Sequence, residues 1–254
     1  MMKNKKILNE LESQHTPQAI RQRFQYGLKQ SYLKDFVYGA IDGTVTTFAV
    51  VSSVAGAGLS SGIVIILGVA NLLGDGFSMA VSNFLATRSE EQLREKVRKM
   101  EEKHIAHIPE GEREEIRQIF AAKGFSEKEL EKVVSIITSN KKQWVDIMLQ
   151  EEWGISLSGP SPFNAGFFTF LSFVLIGLLP LLAFVYQLSF HPTEFNSFFI
   201  STCMTAMAFF AVGAFKGQFV GKYWLLSGLE TLTMGSSAAF LAFIIGASLK
   251  NLVS

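Results

Sequence analysis

The sequence predicts an all-α integral membrane protein of five transmembrane helices, with a cytoplasmic helical-bundle insert between spans two and three. Five stretches of mostly apolar residues, at 36–58, 62–86, 163–188, 195–215 and 223–249, carry this reading. Each reaches the ~20 residues that an α-helix needs to cross the hydrocarbon core. Between the second and third lies 88–158, crowded with Glu and Lys and holding most of the acids of the chain. The mean hydropathy of +0.28 understates the apolar segments, because this stretch dilutes it. None of the segments alternates apolar and polar residues as a barrel strand does.

Residues 1–34 have no apolar core segment, so no cleavable signal peptide is read there. They hold Lys3, Lys5, Lys6, Arg21, Arg23, Lys29 and Lys34, and read as a cytoplasmic amphipathic lead-in. Spans one and two, within 35–87, are joined by a turn without Lys or Arg. The insert, 88–160, is rich in both. Spans three to five occupy 161–254; the loop near Asn196 has no Lys or Arg, and Lys216 and Lys222 lie between spans four and five. Lys and Arg gather on the cytoplasmic side of membrane proteins. The N-terminus and insert are therefore expected inside and the C-terminus outside, with Lys250 the one dissenting charge. Short loops favour a bacterial inner membrane. Cys203 is the single cysteine, so no disulfide forms within the chain. A net charge of +1 and the lack of a basic, aromatic-interleaved stripe give no sign of nucleic acid as a partner.

Helix signals in the insert are clear. The helix of span two runs on past Arg88 without a breaker. Pro109 opens a second helix as a first-turn residue, and Gly124 stops it. Ser126 with Glu129 forms a capping-box pattern. Asn140 is placed to cap a fourth helix that ends at Gly154.

Two groups of residues point to metal. In the insert, Glu112 and Glu115 share one helix face, and Met148 and Glu152 share another. Carboxylates suit Fe2+ or Mn2+, and a thioether adds a softer donor. The plainer reading is that these acids solvate helix surfaces beside Lys and Arg. In the membrane segments, Asp35 and Asp42 lie two turns apart on one face, and Asp75 and Met79 one turn apart. An acid near a bilayer centre costs about 2.5–3.5 kcal/mol on insertion scales, so it reads as functional. Gly39 with Gly43, and Gly74 with Ser78, are small-residue pairs expected to pack spans one and two closely around these side chains. Pro180 is expected to kink span three. Glu230 is a further acid at membrane depth that needs a partner, with Lys216 and Lys222 near, or else carries a proton.

DFVYGAIDGTVTTFAVV from Asp35, GDGFSMAVSNFLATRSE from Gly74, and WVDIMLQEE from Trp144 together resemble the vacuolar iron transporter family, in a bacterial-type form. The resemblance covers roughly 34–249. It implies a homodimer in the bilayer, with a transport pathway at the dimer interface. It implies Fe2+, and with it Mn2+, as exported substrate in exchange for protons, with no resident cofactor and no enzyme activity. On the same grounds Asp42 and Met79 match the metal-contacting pair of the pathway, and Asp35 an acid at its cytoplasmic mouth. Glu101, Glu112, Glu115, Met148 and Glu152 match the metal-binding face of the insert. The chain departs from the pattern at Ser31 and Asn71, where acids are expected, and at His104, where a Glu of the insert is expected. It departs again at Leu149, where a second Met is common, and at Glu230, where a basic residue is frequent. Asp75 and Glu230 replace in part the acids missing at Asn71; His104 is kept among the metal candidates, and Glu230 with Asp42 among the proton-coupling ones.

Two other functions fit part of the pattern. A membrane-anchored metal-binding or sensing protein would use the insert without transport. An intramembrane aspartyl protease also needs two Asp on neighbouring spans, but its two carboxylates share a proton at close range. The sequence context of Asp42 does not match that class.

Overall fold

The computed structural model describes residues 11–26, 32–190 and 196–250. Lys3, Lys5, Lys6, Lys29 and Ser31 lie outside them. The described residues are helical, without a strand. We number the helices α1 (Pro17–Tyr26), α2 (Leu33–Gly56), α3 (Ser61–His107), α4 (Pro109–Ala122), α5 (Glu127–Thr138), α6 (Lys141–Glu151), α7 (Pro162–Gly177), α8 (Leu179–Phe190), α9 (Ser197–Phe219) and α10 (Trp224–Leu249). Four of them, α2, α3, α9 and α10, are long and apolar enough to cross a membrane. The pair α7 and α8, bent by 45°, makes a fifth if it forms one span.

The helix expected as span three breaks at Leu178, two residues before Pro180, which the sequence suggested as the kink. A proline has no N–H to give and its ring crowds the carbonyl four residues back. The Pro180 carbonyl accepts a hydrogen bond from Ser201 Oγ of α9 at 2.6 Å, so the kink is bound to span four.

The small-residue stripes pack differently from expectation. Gly39 and Gly43 face α7, not span two: a side chain at Gly39 would collide with the Thr169 carbonyl, and one at Gly43 with that of Phe173. Gly177 of α7 returns the contact against the Gly43 carbonyl. Gly74 meets nothing, and Ser78 is exposed. The close approach thus joins spans one and three, because two facing glycines remove the Cβ atoms from both sides of the crossing. The membrane core gathers Phe48, Val51, Val64, Leu72, Phe173, Leu181 and Phe184 around it.

The second half of α3 packs with α4, α5 and α6 into a small bundle. Ile116, Val134, Ile137, Trp144 and Met148 form its main apolar cluster, and Val97, Val145 and Leu149 a second one against α3. Asn140 caps α6 through Oδ1, which accepts from the Gln143 N–H at 3.1 Å. Ser126 precedes α5 in extended conformation but its side chain makes no cap bond, so the capping box is not formed. Gly154 ends the bundle at φ +63, a conformation that glycine adopts without strain.

Candidate metal centre

Two kinds of acid line the insert. On its outer face, Arg117 of α4 bonds to Glu131 of α5 at 2.8 Å and to Glu114 on its own helix. These contacts hold Glu114 and Glu131 below the usual carboxylate range. They are the solvated, paired acids that a charged helix surface normally carries.

On the inner face, among the described residues, Glu101 and Glu112 have no Arg or Lys partner. Glu101 of α3 and Glu112 of α4 are each 1% exposed. Donor atoms of Glu101, His104 and Glu112 all lie within 4.8 Å of one another. His104 Nδ1 stands 3.3 Å from Glu112 Oε1. Trp153 Nε1 donates to Glu101 Oε1 at 3.0 Å. The other oxygen of each acid, Glu101 Oε2 and Glu112 Oε2, is buried with no donor from another residue type. Burial, followed by the charges of Glu115 and Glu101 and a carboxyl–carboxylate hydrogen bond with Glu101, pushes Glu112 up to about 8. Glu152 is also raised, first by desolvation and then by Glu101 and Glu115, against the Trp153 N–H and His104. A buried acid surrounded by acids is costly unless a proton or a cation neutralises it.

Of the residues singled out in the insert, Glu101, His104 and Glu112 are brought together, and Glu115 and Glu152 act on them through charge. Met148 is fully buried in the apolar cluster beneath. Trp153 was missed by sequence reasoning. Its signal was its place one residue after Glu152, at the end of the helix that carries the metal candidates.

In the membrane helices, Asp35 is buried and accepts from Asn83 Nδ2 of α3 at 2.8 Å. Asn83 also donates to Thr169 Oγ1 of α7 at 2.8 Å, so one amide ties three helices. Asn83 was likewise missed, although Asn71, Asp75, Met79 and Asn83 follow one another at four-residue steps along α3. Asp42 is half-buried, and Asp75 is exposed yet close enough for the two charges to interact. Met79 packs against the membrane core cluster. Asn71 Nδ2 donates to Thr46 Oγ1 at 3.3 Å, joining α3 to α2. Glu230 has found one of its two expected partners, Lys216 Nζ at 3.9 Å.

A multi-pass helical membrane protein with carboxylates on its spans and a carboxylate-rich bundle on one long helix defines a class: membrane proteins that handle cations. The profile of the VIT family matches residues 33–247, and the chain belongs to that family. It is 32% identical to the vacuolar iron transporter of Plasmodium berghei, over 89% of this chain and 85% of that protein. It is 32% identical to the vacuolar iron transporter of Toxoplasma gondii, over 87% and 76%. It is 31% identical to vacuolar iron transporter 1 of Arabidopsis thaliana, over 84% of each. These relatives are named as transporters, not enzymes, and the protease reading falls with that.

Proposed function

We propose that this chain exports Fe2+, and Mn2+ beside it, from the cytoplasm in exchange for protons, as a homodimer whose pathway runs along α2 and α3. One observation carries the proposal. Two buried carboxylate oxygens without partners sit in a bundle anchored on α3, the same unbroken helix that holds Asp75, Met79 and Asn83 in its apolar half. In this reading the insert collects the ion from the cytoplasm through Glu101, His104, Glu112, Glu115 and Glu152, with Met148 closing its apolar side. Asp35 marks the mouth of the pathway, and Asp42, Asp75 and Met79 receive the ion.

Exchange follows from elementary electrostatics. Burial favours the neutral form of a carboxyl, and a bound cation favours the ionised form. One Asp42 can hold a proton or share a metal's charge, not both well. Metal arriving from the cytoplasm displaces the proton, and protons from outside release the metal. Asp75 is itself exposed on α3 in the single chain, which supports the dimer. An acid facing lipid is expensive, whereas a second copy would enclose it. Glu230, paired with Lys216 away from this line, is assigned to proton coupling, not to metal. The Lys and Arg distribution supports a cytoplasmic insert. Lys250, the dissenting charge, reaches the turn at Gly58.

The test is metal flux in proteoliposomes under an imposed pH gradient, with Fe2+, Mn2+, Co2+ and Zn2+. Uptake of Fe2+ with counter-movement of protons is expected. Metal binding without flux would instead favour a membrane-anchored metal-binding protein.

A further inference from the structure

This inference rests on reading the inner face of the insert as a metal site. An all-oxygen site faces a difficulty in a cytoplasm rich in Mg2+, since carboxylates suit Mg2+ and Mn2+ as well as Fe2+. An imidazole nitrogen changes that order, because it suits Fe, Co, Ni and Zn better than the hard ions. The chain places one imidazole in the site. His104 stands one helical turn beyond Glu101 on α3, and its Nδ1 faces Glu112. Of the four carboxylate oxygens of Glu101 and Glu112, Trp153 occupies one and the imidazole faces another. Two remain buried and without partners. The tautomer with its proton on Nε2 leaves the Nδ1 lone pair directed at the same space.

We propose that His104 is the selectivity determinant of this site: its Nδ1 gives an otherwise carboxylate site one nitrogen donor, which favours Fe2+, Co2+ and Zn2+ over Mg2+, Ca2+ and Mn2+. Trp153 acts as a positioning residue, since its N–H fixes one oxygen of Glu101 and so turns the other toward the ion. The half-exposed imidazole also stands between the buried acids and solvent, where an arriving ion first meets the site.

The experiment uses the full-length protein in detergent, in an Asp42→Asn background that leaves the insert ligands intact. Mn2+ binding is followed by EPR, with Zn2+, Co2+ and Mg2+ as competitors, for the parent, His104→Glu and His104→Gln. His104→Glu should still bind Mn2+. Its preference for Zn2+ over Mn2+ should fall by about tenfold or more, the scale on which even outer partners of metal ligands act. The imidazole-nitrogen modulation in pulsed EPR of bound Mn2+ should vanish in both variants. His104→Gln, which adds no charge, should lose the same preference, so that the nitrogen and not the charge is seen to matter. A Zn2+ to Mn2+ ratio unchanged in both variants, while Glu112→Gln abolishes binding, overturns the role of His104 and leaves the metal site standing. Binding untouched by Glu101→Gln and Glu112→Gln overturns the metal site itself.

Discussion

Asp35 in the first membrane helix and Glu101 in the insert are both buried carboxylates, set in opposite surroundings. Asp35 accepts from an Asn83 amide that also bonds to Thr169, so its burial is matched by a network holding three helices. Glu101 has one oxygen on Trp153 and Glu112 one facing His104, while Oε2 of each is buried with no donor from another residue type. Buried polar groups are normally satisfied, so an exception asks for an explanation. Asp35 is satisfied within the fold, whereas the insert acids are left short of partners, in a form that a shared proton or a cation would complete.

The largest expected effect breaks the comparison on the membrane side. Asp42→Asn keeps the volume and removes the titration, so metal-driven proton movement should be lost while the protein folds. Parental exchange in Asp42→Asn vesicles would make Asp42 structural. Next comes Glu112, whose carboxyl is pushed up from 4.5 to about 8 by burial and then by Glu115 and Glu101. Between those values the folded chain keeps a proton that the unfolded chain has lost. Stability of the metal-free protein should therefore fall as pH rises across that window, by linkage. Metal binding to the insert should rise across the same window, because the ion needs the ionised form. Glu112→Gln should flatten both curves, read by thermal melts and by metal titration at several pH values.

Smaller effects sharpen the contrast between a satisfied acid and an incomplete one. Trp153→Phe should weaken metal binding to the insert by about tenfold, as loss of an outer partner does, with little change in melting. Asn83→Ala should do the reverse, leaving Asp35 buried and short of a donor at a cost of about 1–3 kcal/mol in stability. Calorimetry on both variants separates the two. The smallest effects are at the helix starts. Asn140→Ala should cost about 1 kcal/mol, and Ser126→Ala close to nothing, since only Asn140 makes its cap bond.

Much of the fold was legible because it rests on local signals. Apolar length gave the four helices long enough to cross a membrane and the bent pair α7 and α8, Pro109 opened α4, Asn140 capped α6, and the break between α7 and α8 falls near Pro180. The pairing of Gly39 and Gly43 was not legible. A small-residue stripe announces close approach but not its partner, and α7 supplied the matching Gly177. In the site, Glu101, His104 and Glu112 were each legible as candidates, but the bare oxygens were not, since satisfaction depends on the folded neighbours. Trp153 and Asn83 went unnoticed because an indole and an amide are ordinary on helices until their partners are known.

The unbroken course of α3 has a mechanical consequence. At about 1.5 Å per residue its 47 residues make a rod of roughly 70 Å, and Asp75 and Glu101 stand about 40 Å apart along it. No proline and no loop lies between them to act as a joint. A tilt of a few degrees in the apolar half must therefore swing the far end by several ångströms, and a load on the far end must push back on the apolar half. The two halves form a single lever, so the bundle at its tip cannot settle around a new occupant without some torque reaching the bilayer.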